Sequence, residues 1–392
     1  MRVIVIGAGV AGSAAALALR HIGAEVTVYE AYADPAGDVG SFISLAANGL
    51  RGLEALGCLP RVQRLGVALP RQRMWSASGR LLGDVPRGRR GDDPLHSVTL
   101  MRGALVEALR AAAAEAGAEI VTGERLTGVT EAPGVVTAGF LDGRRDSADL
   151  LVAADGIWSL VRGVLDPAAP RPRYAGLYCV SGVSADARGL GVEPGVFNMT
   201  FARNGAFIHL AAGDGTVWWS AQIADPRQPR LDDAAGAGAG WLRETAALYR
   251  REPVPSAVLA AAAGTHPTVL MHALGPVPIW HGGRSVLIGD AAHPVGAGQG
   301  ASMAVEDALV LAAALRGRAP SDVPGALARY DAARRPRVTR LLGAAKDNRE
   351  AKKAGPVARR AQAAAMRMFL PLFYDRSTAW LHGHDPAAVV VG

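Results

Sequence analysis

Gly7, Gly9 and Gly12 are spaced as GxGxxG between the apolar run Val3 to Ile6 and an Ala- and Leu-rich stretch, Ser13 to Arg20. This order suits the binding of a pyrophosphate. A buried strand leads into a tight turn at Gly7, Gly9 lets the backbone approach the phosphates, and Gly12 brings helix close to strand. Ala11 sits in the first turn of that helix, where free N–H groups and the dipole favour negative charge. The next run, Glu25 to Tyr29, ends at Glu30, 18 residues after Gly12. A carboxylate there is placed to accept hydrogen bonds from an adenosine ribose, and it disfavours a 2′-phosphate. The expected dinucleotide is therefore NAD or FAD, not NADP.

Further acids stand at strand ends. Asp155-Gly156 closes the run Leu150 to Ala154, and Gly289-Asp290 closes Val286 to Ile288. A carboxylate so placed accepts two hydroxyl hydrogen bonds, each strengthened by its charge. Arg162 lies seven residues past Asp155, two turns along a helix expected to begin at Gly156, and so on one face with Asp155 and Ser159. That face is expected to meet a reductant. His293, just after Gly289-Asp290, is assigned to capping or packing and not to base chemistry.

These residues need elements to hold them. Helices are expected from Asn48 to a glycine cap at Gly57, and from Gly103 to Ala116, headed by Arg102 and closed by Gly117. Residues 71–84 and 94–100 read as extended. Glu119 to Thr122 and the stretch to Phe140 read as strands returning to the main sheet. Val196 to Ala202, Ala206 to Ala211 and Val217 to Gln222 form a β-rich insertion, joined by the turn signals Arg203-Asn204-Gly205 and Gly213-Asp214-Gly215. Phe197, Met199 and Phe201 share a strand face, and Trp218 and Trp219 point oppositely. A glycine- and alanine-rich linker, Ala234 to Gly240, leads to a helix over Trp241 to Arg250. Ala301 to Leu315 reads as a helix, and Ala326 to Met368 is mainly helical. The fold class expected is α/β. A Rossmann-like dinucleotide domain (1–70, 101–170 and 276–320) is interleaved with a β-rich substrate domain (71–100 and 171–275), before a helical region at 321–392.

Of 392 residues, half are hydrophobic and 20% charged, enough for a sizeable core. The net charge of +7 is local, because Arg329 to Arg367 contains twelve basic and three acidic residues. This run is assigned to a solvated helix face; no nucleic-acid motif accompanies it, and after Tyr330 no aromatic residue interleaves with it. Lysine occurs only at 346, 352 and 353, which disfavours chemistry needing an active-site lysine, such as halogenation. Cys58 and Cys179 form no CxxC and are assigned to burial. No 18-residue apolar run suggests a membrane span, and a cytoplasmic location is expected.

Taken together, these segments resemble the single-component (group A) FAD-dependent aromatic monooxygenases, the para-hydroxybenzoate hydroxylase-like family. The resemblance runs from Val3 to about Arg337 and includes Tyr330-Asp331-Ala332-Ala333-Arg334-Arg335-Pro336. It implies that Asp155, Gly156, Ser159 and Arg162 serve FAD and the reductant. By the same resemblance Asp290 binds a ribityl or ribose hydroxyl, and Arg102 reaches the phosphate–ribityl region. Gly298, Gln299, Gly300 and Ala301 then stand at a helix N-terminus that would face the flavin pyrimidine edge. The segment His293 to Gly300 departs from the family in being shorter and lacking its mid-loop proline. The implied activity uses NADPH or NADH as a visiting reductant and O2. It hydroxylates or epoxidises a small aromatic or unsaturated apolar substrate through a flavin hydroperoxide. A flavin dehydrogenase or oxidase, and a non-catalytic binding protein, remain alternatives at this stage.

Overall fold

The computed structural model describes residues 1–34, 41–231, 237–296, 298–353 and 355–386. Its centre is a five-stranded parallel sheet in the order Ser285–Leu287, Leu150–Ala153, Arg2–Ile6, Glu25–Glu30, Glu119–Thr122. The apolar runs Val3 to Ile6 and Leu150 to Ala153 lie at its middle, packed against helices and against the strands Val135–Phe140 and Arg145–Ala148. Val3, Ile4, Val5 and Leu150 to Ala153 are fully buried. Helices Val10–His21, Arg102–Glu115 and Gly300–Leu315 pack on this core.

Leu126–Ala132 and Val135–Phe140 do not return to this sheet, contrary to expectation. They join Arg145–Ala148 in a separate antiparallel sheet of three strands. The reason is visible in Val135–Phe140, where every second residue is buried, the pattern of a strand with one wet face. A small sheet of Phe42–Leu45, Val98–Met101 and Val67–Ala68 adjoins the core.

The β-rich insertion is part of an eight-stranded sheet. Its order is Ala262–Thr265, Arg173–Ser184, Val217–Ala224, Gly205–Ala211, Val196–Ala202, Arg71–Ser76, Leu81–Pro86, with Val269–Ala273 also pairing Arg173–Ser184. One face carries Tyr178, Phe207 and Trp219 and is covered by helices Ala237–Tyr249 and Pro253–Ala260. Of the linker expected at 234–240, residues 237–240 instead form the start of the first of these helices, and the rest lies outside the described residues. The other face carries Phe197, Met199 and Ile208 and looks back toward the glycine loop. Trp218 and Trp219 do point oppositely: Trp219 is fully buried beside Phe207 on the covered face, while Trp218 stacks on Phe42 at 6.2 Å.

Helices Val323–Lys352 and Pro356–His382 complete the chain, the first continuing through Pro336. The basic run is not wholly solvated as expected. Arg334 and Lys352 are buried, and both lie on the apolar stripe of their helix.

Candidate active site

The glycine loop is built by close approach. Gly7 has φ +99°, and a Cβ there would stand 2.5 Å from the Ala154 carbonyl oxygen. A Cβ on Gly12 would stand 1.8 Å from the Gly7 carbonyl oxygen, so strand and helix meet where only hydrogen fits. Gly9 has nothing within 4 Å of its Cβ position and opens onto a groove. Glu30, buried at the end of its strand, ties this loop together. Its Oε2 accepts the Ala8 N–H at 2.8 Å and its Oε1 the Tyr32 N–H at 2.9 Å. Each oxygen keeps a lone pair for a further donor.

The Asp155 segment differs from its sequence-based geometry. Its helix is Leu160–Leu165, capped by Ser159, whose Oγ accepts the Arg162 N–H at 3.0 Å, and Asp155 lies before it and adds acceptors to its first turn. Oδ2 accepts from the N–H groups of Leu160 (2.9 Å) and Val161 (3.2 Å), while Oδ1 is buried without a partner among the described residues. Desolvation raises this carboxyl above its ordinary range. Arg162 does not share a face with Asp155 toward a reductant. It is 4% exposed, and its guanidinium donates to the carbonyls of Ala291 (3.0 Å) and Ile157 (2.7 Å). Arg162 thus staples the Asp155-Gly156 loop to the Gly289-Asp290 turn.

That turn is held from behind by a buried ionic network. Gly289 (φ +56°) donates its N–H to Asp307 Oδ2 at 2.8 Å, and the same oxygen meets His293 Nε2 at 2.7 Å. Arg334 reaches Asp307 Oδ1 at 2.7 Å and Glu306 Oε2 at 2.6 Å, and Arg337 and Asn48 complete Glu306 at 2.7 Å each. Burial alone would raise Asp307; the charges of His293 and Arg334 outweigh it and hold the carboxyl at about 2. His293 belongs to this network and packs on Trp280 at 5.3 Å, neither capping a helix nor lining the groove.

The groove and the open face of the eight-stranded sheet enclose a cavity of about 580 Å³. Gly9, Ala11, Arg102, Gly156 and Asp290 line one wall, with Gly298, Gly300 and Ala301 at the start of helix Gly300–Leu315. Gln299 lies beside it on an adjoining chamber of about 210 Å³. Asp290 stands open on the groove, yet protein crowds it enough that desolvation raises its carboxyl against the opposing fields of His293 and Arg102. Gly7, Gly12, Glu30, Gly289, Asp155 and Arg162 lie behind this wall and shape it. A bare backbone at Gly9, an exposed acid at Asp290 and a helix N-terminus at Gly300 fit a dinucleotide that carries both phosphates and polyol hydroxyls.

The family model described as "FAD binding domain" matches residues 1–345. The chain belongs to this family of FAD-dependent hydroxylases. It is 33% identical over 360 residues to a 3-amino-4-hydroxybenzoate 2-monooxygenase of Streptomyces platensis, spanning 86% of this chain and 85% of that one. An FAD-dependent urate hydroxylase of Klebsiella pneumoniae is 32% identical, over 87% and 88% of the two chains. Among solved structures, a salicylate hydroxylase substrate complex superposes with a TM-score of 0.82 at 22% identity, covering 100% and 97%. The cofactor of this hydroxylase is FAD.

The opposite side of the cavity holds residues for which the sequence reading assigned no role. Arg87 follows strand Leu81–Pro86 and lays its guanidinium 3.2 Å from the centre of the Phe197 ring. It donates to Gln72 Oε1 at 2.7 Å and Ser44 Oγ at 2.8 Å, both neutral acceptors, and its Nε has no partner among the described residues. Burial lowers it to about 9. Lys352 also lines the cavity, so the absence of earlier lysines excludes nothing here. Cys179 lines it too, and is only half-buried. No helix among the described residues is long and apolar enough to cross a membrane.

Proposed function

We propose that this enzyme hydroxylates an aromatic acid, with Arg87 receiving the substrate carboxylate and NADH or NADPH acting as a visiting reductant. Arg87 carries the proposal. It is a guanidinium on the cavity wall with no carboxylate partner among the described residues, and an Arg fork matches a carboxylate in plane and charge. The floor beside it, Phe197, Met199 and Ile208, is apolar and suits a flat ring. The relatives agree in kind: one is named for 3-amino-4-hydroxybenzoate and another, from Bordetella bronchiseptica, for 6-hydroxynicotinate.

FAD bound in the groove supplies the chemistry that delivers one atom of O2 to an electron-rich ring. The chain's own part is to hold and to enclose. Asp290 and the Gly9 backbone hold the cofactor, and Arg162 with Asp307 fixes the turns that carry those contacts. Arg87 sets the ring's orientation, and the sheet face excludes water.

The test is oxidation of NAD(P)H by the holoenzyme, stimulated by benzoate-type acids, with labelled oxygen traced into product. Arg87→Met should raise KM for the acids at least tenfold while leaving bound FAD unchanged, and Arg87→Lys should recover little. Equal stimulation by an acid and its amide in the wild type would defeat the assignment. Reductant consumption without labelled product would favour an oxidase.

A further inference from the structure

The cavity contains a second buried cation. Lys352 ends helix Val323–Lys352, is 7% exposed and turns onto the cavity, whereas its neighbour Lys353 pairs with Glu350 at 3.2 Å. No described residue accepts a hydrogen bond from the Lys352 ammonium. The side chain is enclosed while its Nζ stays open to the cavity, where an anionic ligand oxygen can meet it in place of water. Beside it lies Cys179, whose thiol is already engaged with Ser220 Oγ at 3.0 Å.

The strand registers separate Lys352 from Arg87. Arg87 lies over Phe197. In the row four residues further along that strand, Phe201 faces Ala206, Ala206 faces Gln222, and Gln222 faces Cys179. Cys179 is therefore three strands across from Phe197 and four residues along. At about 4.8 Å per strand and 3.3 Å per residue, the diagonal is on the order of 19 Å. A one-ring acid held at Arg87 covers only part of that diagonal, and Lys352 stands toward its far corner. Between the corners lie Met199, Ile208, Ser220 and Gln222, a path with no charge.

We propose that Lys352 is a specificity-determining residue that receives a second anionic oxygen of the substrate, and that the substrate is an elongated, two-ring aromatic acid lying corner to corner. This rests on the aromatic-acid proposal and adds the far contact to it. Burial lowers the amine to about 8, which leaves it largely protonated at neutral pH and able to hold either a phenolate or a second carboxylate.

The experiment is titration of the FAD-loaded enzyme, followed by flavin absorbance, with three probes. They are biphenyl-4-carboxylate, 4′-hydroxybiphenyl-4-carboxylate and biphenyl-4,4′-dicarboxylate. Lys352→Met should weaken the hydroxy acid or the dicarboxylate at least tenfold and leave the mono-acid within twofold. Whichever of the two is weakened identifies the second oxygen. Lys352→Arg should restore most of the loss, which a merely structural role would not predict. Arg87→Met should weaken all three; if it does not, the aromatic-acid assignment fails by itself. An equal effect of Lys352→Met on all three probes, no effect on any, or failure of the two-ring acids to perturb the flavin would overturn the role of Lys352.

Discussion

Arg334 is a residue whose surroundings dictate its effect. Its guanidinium is almost fully enclosed and joins two carboxylates, Glu306, which it shares with Arg337, and Asp307, which it shares with His293. Arg334→Met removes the cation but not the acids, and breaking a buried pair in this way costs about 3–5 kcal/mol. Chemical denaturation of the variant should show that loss, and its flavin content should fall because Asp307 no longer fixes the Gly289 N–H. Asp307 itself adds a pH dependence. Its folded carboxyl lies at about 2 against an ordinary 3.8, so its ionised form stabilises the fold fully above the ordinary value. That contribution drains away as pH falls from about 4 to about 2. Asp307→Asn should be less stable at neutral pH and should lose this portion of the acid limb, as thermal melts across that range will report.

At the level of elements, the junctions between strands and helices carry the cofactor wall. Gly12→Ala places a methyl against the Gly7 carbonyl at the heart of the strand–helix contact, where backbone cannot give way. The variant should purify without FAD, and a normal flavin spectrum would contradict the close approach. Arg162→Ala releases the Ala291 and Ile157 carbonyls that link two turns. Hydrogen bonds from a charged donor are worth about 1.5–3 kcal/mol. FAD should therefore bind at least tenfold more weakly in a titration of apoprotein; a defect confined to reduction kinetics would show a surface role instead. Much of this architecture was legible from glycine and acid spacing, because a loop around a phosphate constrains the local sequence tightly. Position along a helix was harder. Arg334, Val338, Leu341, Ala345 and Lys352 recur at helical spacing and are all buried. That period was present in the sequence, but the surrounding charge led to a solvated assignment. Arg87 left no such trace, since it lies in an arginine-rich turn and its ring partner is 110 residues away.

For the molecule as a whole, the last helix closes the substrate side. Ala363, Met366, Leu370 and Tyr374 of Pro356–His382 pack on Met74, Leu82 and Val85 of the large sheet. Tyr374 and His382 also line the small chamber that adjoins Arg87. Leu370→Asp should loosen the helix from the sheet and speed proteolytic cleavage near residue 355 several-fold. Acid affinity should weaken, while FAD stays bound against the Gly9 and Asp290 wall. An unchanged cleavage rate would mean that the helix is secured by other contacts.

The groove wall draws on residues 9–11, 102, 154, 156, 290, 295, 296, 298, 300 and 301, and the turn beside it is clamped by Arg334. A ribosome delivers these pieces in that order, and domains consolidate from the N-terminus as they emerge. A nascent chain of 280 residues already has its Gly7 loop, yet it lacks Asp290 and the outer strand Ser285–Leu287 beside which that acid is held. The wall and its clamp are therefore complete only once residue 334 has been made. A chain finished where FAD is scarce would keep this groove open and forgo the stability that a bound ligand adds.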